Sequence, residues 1–120
     1  RVNKVREVAE SYHLYDKIVI SEVNRGLRNS IISGIKDAVY GFDAFVVLED
    51  DILLNKGALD YTLRILSDYR NSGQYFIFSL YSFRTLLPIG EKYSTRRFLP
   101  WGWASWSDKW FCTNVSFTGL

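Results

Sequence analysis

Apolar residues recur along the chain with helical spacing in three segments. In the first segment they stand three or four positions apart with charged residues between them, which predicts an amphipathic helix that ends near His13. A second helix is predicted to follow the turn at residues 24–26 and to stop at Gly41. A third is predicted from about Lys56 to Tyr69.

Three short apolar runs between these helices predict buried strands at residues 17–22, 44–48 and 75–80. The order helix, strand, helix, strand, helix, strand is typical of a mostly parallel sheet with helices on its faces. We therefore predict an α/β fold with a Rossmann-like sheet. Leu59, Leu63, Leu66 and Ile65 are expected on the inner face of the third helix. The aromatic segment at residues 100–106 is expected to open a last helix.

The composition allows one compact core, because 48% of the 120 residues are hydrophobic. The net charge is only +2 and the basic residues are scattered, so we do not expect nucleic acid as a partner. The single cysteine cannot form an internal disulfide. Apolar runs fall short of the roughly 20 residues that a membrane-spanning helix requires.

Three carboxylates, Glu49, Asp50 and Asp51, directly follow the strand predicted at residues 44–48. In an open parallel sheet, ligands bind beyond the carboxyl ends of the strands. Adjacent carboxylates repel one another, and a divalent ion such as Mg²⁺ or Mn²⁺ would neutralise their charge. Phosphate and water oxygens would fill the remaining coordination positions of the ion. The alternative is that these acids cap the third helix or lie solvated in a turn, as acids near a helix amino terminus often do.

Three segments in a fixed order carry a family resemblance: Asn-Arg-Gly-Leu-Arg-Asn-Ser at residues 24–30, Val-Val-Leu-Glu-Asp-Asp-Ile at 46–52, and Pro-Trp-Gly-Trp at 100–103. Together they resemble glycosyltransferases of the GT-A fold. The likeness is to the inverting N-acetylglucosaminyltransferase I group and to bacterial sugar transferases with the same layout. It extends from about Ile18 to Trp110.

The resemblance implies a sugar donor that is a nucleoside diphosphate sugar, with a UDP-sugar expected first, and a glycan or lipid-linked acceptor hydroxyl. It implies that Asp51 binds Mn²⁺ or Mg²⁺ and that Glu49 and Asp50 lie near the ribose or the sugar of the donor. Arg28 and Asn29 are expected to approach the donor phosphate or uridine, or else to fix the loop before their helix. The transfer would invert the anomeric carbon.

The aromatic segment supplies the expected wall for the sugar or the acceptor, formed by Trp101, Gly102 and Trp103, because indole rings pack well against the apolar faces of sugars. Trp106 and Trp110 are instead expected in the core. The related transferases place the catalytic base after this segment. Asp108 is the only acid there and matches a surface position of the family, so we assign no general base.

The resemblance also leads us to expect that residues 1–120 are the carboxyl-side part of one GT-A catalytic domain, incomplete at the amino end. An open sheet edge would then favour self-association. We expect a cytoplasmic location in a bacterium, either free or peripheral to the inner membrane, and the Golgi lumen in a eukaryote.

Two other classes of function compete with glycosyl transfer. The first is a non-catalytic module that binds a carbohydrate or a partner protein. The second is a glycoside hydrolase, which ranks last because it needs two carboxylates about 5 to 9.5 Å apart on either side of the sugar. Adjacent acids in one turn do not provide that arrangement.

Overall fold

The computed structural model describes residues 2–81, 94 and 98–112. The chain divides into two compact units, Arg1–Ser33 and Gly34–Leu120, which are treated separately below. Of the helices within the described ranges, none has both the length and the apolar character that crossing a bilayer requires.

The first unit contains helix α1 (Val2–Ser11) and the beginning of helix α2 (Leu27–Ala38). The Arg6 guanidinium donates a hydrogen bond of 3.1 Å to the Ser21 carbonyl oxygen, which ties α1 to the segment after it. The prediction of a strand at residues 17–22 is wrong, because that stretch has no regular secondary structure. Strands depend on hydrogen bonds to a neighbouring strand, and no described residue pairs with this stretch.

Helix α2 confirms the second predicted helix, although it ends at Ala38, before Gly41. The backbone at Gly41 has φ 89°, a left-handed conformation that glycine adopts without strain and that stops the helical path. Only the carboxyl-terminal part of the helical stripe is buried, at Ile35 and at Val39 just beyond the helix, whereas Leu27 is exposed.

The second unit is built around a three-stranded sheet. Its elements are strand β1 (Ala44–Val47), helix α3 (Ala58–Asp68), strand β2 (Ile77–Ser79), strand β3 (Trp103–Trp106) and helix α4 (Ser107–Cys112). The order across the sheet is β1, β3, β2, and β3 is antiparallel to both neighbours. The predicted α/β fold with a mostly parallel, Rossmann-like sheet of the GT-A type is therefore wrong.

The reason for this error lies in the aromatic segment. Trp103 and Trp106 are three positions apart, a spacing that favoured a helix, yet they form the two ends of the central strand, and the last helix begins only at Ser107. All four residues of β3 are buried, so the strand shows no alternation of apolar and polar positions. By lying between β1 and β2, β3 replaces their expected parallel pairing with two antiparallel ones.

The register of β3 makes the two outer strands end at the same level. Trp103 is the partner of Val47 in β1 and of Ser79 in β2. The pairing continues past β2, where the Leu80 amide donates to the Gly102 carbonyl oxygen at 2.8 Å. The carboxyl ends of β1 and β2 and the amino end of β3 consequently meet at one edge of the sheet.

The core of this unit forms where α3 covers the sheet. Leu66, Ala104 and Trp106 are its buried centre, and they pack against partly buried side chains of the strands and of the α3 end, namely Ala44, Val46, Tyr69 and Phe78. The buried face of α3 consists of Thr62, Ile65 and Leu66. The inward face predicted for α3 is thus confirmed for Ile65 and Leu66 and wrong for Leu59 and Leu63, which are exposed.

Trp106 joins the sheet to helix α3 and, through Lys109 of α4, to the loop between α3 and β2. Its indole Nε1 donates a buried hydrogen bond of 3.1 Å to the Leu66 carbonyl oxygen near the end of α3. The Lys109 ammonium lies 3.8 Å from the centroid of the same indole and donates to the carbonyl oxygens of Ser72 and Tyr75. The prediction that Trp106 and Trp110 belong to the core is confirmed.

Replacing Trp106 with Phe should destabilise the fold by about 2 kcal/mol, because the Leu66 carbonyl oxygen would lose its buried donor. The measurement is the free energy of unfolding from urea denaturation. Trp101→Phe is the matched control, since it removes the same atoms from an exposed position, and it should change stability by no more than about 0.5 kcal/mol. Equal losses in the two variants would contradict the assigned role of the Trp106 hydrogen bond.

Candidate functional site

The candidate site lies at the sheet edge where β1 and β2 end and β3 begins. Three loops meet there: the acidic turn after β1, the residues after β2, and the Trp101-Gly102 pair before β3. The strands of the buried sheet hold these loops in place, so the position of each functional side chain follows from the register of β3. The acidic turn and the tryptophan segment, far apart in the chain, are thereby brought to one edge.

The acidic residues form a tight turn. The Ile52 amide donates to the Glu49 carbonyl oxygen at 3.2 Å, which places Asp50 and Asp51 at the two central positions of the turn. Glu49 is partly buried, and Asp50 and Asp51 are exposed. Helix α3 begins only at Ala58, and Gly57 at its amino end makes no side-chain cap, so the three acids do not cap that helix.

The three carboxylates have no partner among the described residues. The ion pair found within those ranges joins Arg70 to Asp108, and no described side chain donates a hydrogen bond to Glu49, Asp50 or Asp51. Three neighbouring negative charges without a counter-charge raise one another's energy, and a bound cation would relieve that repulsion.

The donor set of the turn fits a hard divalent ion in part. Carboxylate oxygens are the ligands that Mg²⁺ and Mn²⁺ prefer. Within the described parts of the chain, however, no three carboxylate, histidine or cysteine side chains are grouped closely enough to bind an ion by themselves. An ion at Asp51 would therefore take most of its ligands from water and from substrate phosphates, as Mg²⁺ often does in proteins.

Gly102 connects the acidic turn with the tryptophan segment. It is buried, and a Cβ added to it would lie 3.5 Å from Leu48 Cδ2, 3.6 Å from Ile52 Cδ1 and 3.6 Å from Leu80 Cβ. Leu48 and Ile52 flank the acidic turn on either side. Gly102, which was expected to contact substrate, is thus the residue around which the three loops come together.

Of the three residues expected to form the substrate wall, Trp101 is the one whose side chain reaches solvent. Its indole is 47% exposed, whereas Trp103 is 2% exposed and packs edge-on against Phe45 and Phe98 in the core. The Trp101 ring meets the ring of Tyr81 edge to face, with centroids 5.1 Å apart. Tyr81 directly follows β2 and was not among the predicted site residues.

Arg28 and Asn29 lie in the first unit, in the first turn of α2. Both side chains are exposed. The Asn29 side-chain amide donates to the Arg25 carbonyl oxygen at 3.0 Å, and the Gly26 amide donates to Asn24 Oδ1 at 2.8 Å. These bonds fix the loop before α2, and for Asn29 this is the structural one of the two expected roles.

Asp108 lies beyond the opposite edge of the sheet. It is in the first turn of α4, which follows Trp106, and Trp106 pairs with the first residue of β1. The carboxylate accepts a 3.0 Å hydrogen bond from Arg70 Nη2. The acidic turn is at the other end of β1, so Asp108 does not face it.

The surroundings of Asp108 also make it a weak base. Burial raises the pKa of this carboxyl, but the Arg70 hydrogen bond, backbone N–H groups and the Arg70 charge outweigh that effect, so the pKa lies below its ordinary value of 3.8. The ion pair therefore contributes stability above pH 3.8, and this contribution is lost as the pH falls through the lowered pKa. Both side chains are well exposed, which limits the contribution to roughly 0.2 to 1 kcal/mol.

Comparison with known proteins adds no family to this description, since no protein-family model, curated protein sequence or solved structure matches the chain. The functional interpretation therefore depends on the sequence resemblance and on the geometry of the sheet edge.

Gly102→Ala should destabilise the second unit by about 1 to 2 kcal/mol, because Gly102 has φ 74° and a side chain disfavours this left-handed conformation. The three surrounding side chains leave room for ordinary contact, so the cost comes from the backbone. Urea denaturation measures it. Gly73→Ala is the control, since a Cβ there would meet nothing within 4 Å and the backbone is not left-handed. If Gly102→Ala were as stable as Gly73→Ala, the loops would not depend on this conformation.

Proposed function

We propose that this protein transfers a sugar from a nucleoside diphosphate sugar, with a UDP-sugar as the first expectation, to a hydroxyl group of a glycan or lipid-linked acceptor. The transfer depends on Mn²⁺ or Mg²⁺ and inverts the configuration at the anomeric carbon. The reaction class comes from the sequence resemblance, and the supporting geometry comes from the sheet edge.

One observation carries the proposal: an acidic turn with no counter-charge among the described residues and an exposed indole lie at the same sheet edge. The turn follows β1, Trp101 precedes β3, and a Cβ added to Gly102 would lie 3.5 Å from Leu48 and 3.6 Å from Ile52. A nucleotide sugar needs both kinds of surface, since its diphosphate binds through a cation and its sugar ring has an apolar face.

The roles of the acidic residues are those that the resemblance implies, and their exposure is compatible with them. Asp51 is exposed at the tip of the turn and would hold the ion. Asp50, also at the tip, and the partly buried Glu49 would accept hydrogen bonds from hydroxyl groups of the ribose or of the sugar. When bound, the divalent ion would neutralise charge on the departing diphosphate.

The rest of the edge would hold the donor and exclude water on one side. Leu48, Ile52 and Leu80 lie 3.5 to 3.6 Å from the position that a Cβ at Gly102 would occupy and give this part of the edge apolar side chains. Asp108, the acid that follows the tryptophan segment, is at the opposite edge and away from the acidic turn. The proposal therefore assigns no general base.

A thermal-shift titration tests the proposal. Mn²⁺ with UDP at about ten times its Kd should stabilise the protein by about 1.4 kcal/mol, which corresponds to a rise of roughly 5 °C in Tm. Asp51→Ala should abolish the shift, because it removes the carboxylate that would hold the ion. The matched control is Asp68→Ala, which removes an exposed acid from the end of α3 and should leave the shift unchanged.

Two outcomes of this titration would count against the proposal. The wild-type protein could show no shift with Mn²⁺ and UDP together, or Asp51→Ala could show the same shift as the wild type. Transfer of sugar from a radiolabelled UDP-hexose to an acceptor, lost on addition of a chelator, would be the positive result for the complete reaction.

A second candidate function is a non-catalytic carbohydrate-binding module. It is favoured by the exposed Tyr81–Trp101 pair together with the lack, within the described ranges, of a three-ligand metal group. Such a module would keep its affinity for a glycan after complete removal of divalent metal. A glycan-binding measurement with and without a chelator therefore separates the two functions.

A further inference from the structure

We propose that Tyr81 and Trp101 together form the subsite for a pyranose ring of the substrate, with Tyr81 as the residue that positions the Trp101 indole. We call this pair the aromatic corner. The inference rests on the proposed function and deepens it, because it names the part of the substrate that this corner binds and adds a residue that the sequence did not suggest.

The geometry of the aromatic corner is that of a small platform. The planes of the two rings are at 89° to each other and their centroids are 5.1 Å apart, so the pair forms a right-angled corner. Both side chains keep nearly half of their surface exposed, with 47% for Trp101 and 44% for Tyr81. A pair of large rings presented to solvent in this way has apolar area available for a flat ligand.

The position of the aromatic corner links it to the acidic turn. Tyr81 follows Leu80, whose amide bonds to Gly102, and Trp101 precedes Gly102. A Cβ added to Gly102 would lie 3.5 Å from Leu48 and 3.6 Å from Ile52, the residues on either side of the three carboxylates. A ligand on the aromatic corner would therefore lie at the same sheet edge as an ion held by Asp51.

The chemistry of the aromatic corner favours a sugar over a purely apolar ligand. A pyranose has an apolar face of C–H groups and a rim of hydroxyl groups. The two rings offer the matching apolar area, and the nearby carboxylates of the acidic turn, which have no partner among the described residues, offer acceptors for the hydroxyl rim. An aliphatic ligand would make no use of these acceptors.

The chain provides a direct optical test, because Trp101 is the exposed one of its four tryptophans. Trp103, Trp106 and Trp110 are buried, so a neutral collisional quencher such as acrylamide reaches mainly Trp101. Trp101→Phe should remove most of the quenchable fluorescence. This variant identifies the signal without any assumption about activity.

A bound pyranose should lower the quenching constant about twofold, because it covers one face of the indole. The probes are a panel of UDP-hexoses with Mg²⁺, UDP with Mg²⁺, and methyl hexopyranosides added to the UDP complex. Protection by a UDP-hexose beyond that of UDP would assign the donor sugar to the aromatic corner. Protection by a methyl hexopyranoside would assign the acceptor sugar.

Variants of Tyr81 test its positioning role. Tyr81→Ala should raise the half-protecting concentration of the sugar about tenfold, and Tyr81→Phe should restore most of that loss because it keeps the ring. Tyr40→Ala is the matched control, since it deletes an exposed tyrosine ahead of the amino end of β1, and it should have no effect. Far-UV circular dichroism confirms that each variant is folded.

Two results would overturn the inference: UDP alone protecting Trp101 as well as every UDP-hexose, or no probe protecting it. If Mn²⁺ and UDP still bind through Asp51 in that case, the assignment of the aromatic corner as a sugar subsite is wrong and the proposed transfer stands. If methyl hexopyranosides protect Trp101 without metal while Asp51→Ala changes nothing, the aromatic corner stands and the proposed transfer fails.

Discussion

Strand β3 is hydrogen-bonded on both sides, and its first residue, Trp103, sets the level at which both outer strands end. The residues that follow β1 and β2 therefore lie at one edge, next to the residues that precede β3. The strand can occupy this position because its side chains are almost completely buried, from Trp103 to Trp106. Burial of two indoles in four residues also makes it the main source of hydrophobic stabilisation in the sheet.

This arrangement separates the two ends of the sheet by function. At the end where β3 leaves the sheet, the contacts are structural: Lys109 covers the Trp106 ring and binds loop carbonyl groups, and Arg70 pairs with Asp108. At the other end the acidic turn has no counter-charge among the described residues, and the aromatic corner remains exposed. Exposed charged and aromatic side chains on a rigid frame are the pattern expected of a binding site rather than of a structural contact.

The sequence predicted local structure better than sheet topology. Periodic apolar spacing predicted α1, α2 and α3, and the apolar run before Glu49 predicted β1, because these features depend on neighbours in the chain. The antiparallel position of β3 depends on pairing with segments distant in sequence, and the spacing of its tryptophans resembles that of a helix. Residues 17–22 have the composition of a strand but no partner within the described residues.

The candidate site shows the same division. The rule that ligands bind beyond the ends of strands led to the acidic turn, and the same rule applied to the strand predicted at residues 75–80 would have indicated Tyr81. Exposure could not be predicted: Trp101 and Trp103 are chemically equivalent and two positions apart, yet only Trp101 reaches solvent. Residues two positions apart in a strand would lie on the same face, but Trp101 precedes β3 and Gly102 between the two tryptophans has φ 74°, which departs from the extended path.

The most direct test of the central claim is an anomalous difference map from crystals grown with Mn²⁺ and UDP. We predict a manganese peak roughly 2.0 to 2.6 Å from a carboxylate oxygen of Asp51, with the diphosphate completing the coordination at the edge that carries Trp101. A complex in which the Asp51 carboxylate contacts no ion, or in which manganese and nucleotide bind away from this edge, would contradict it.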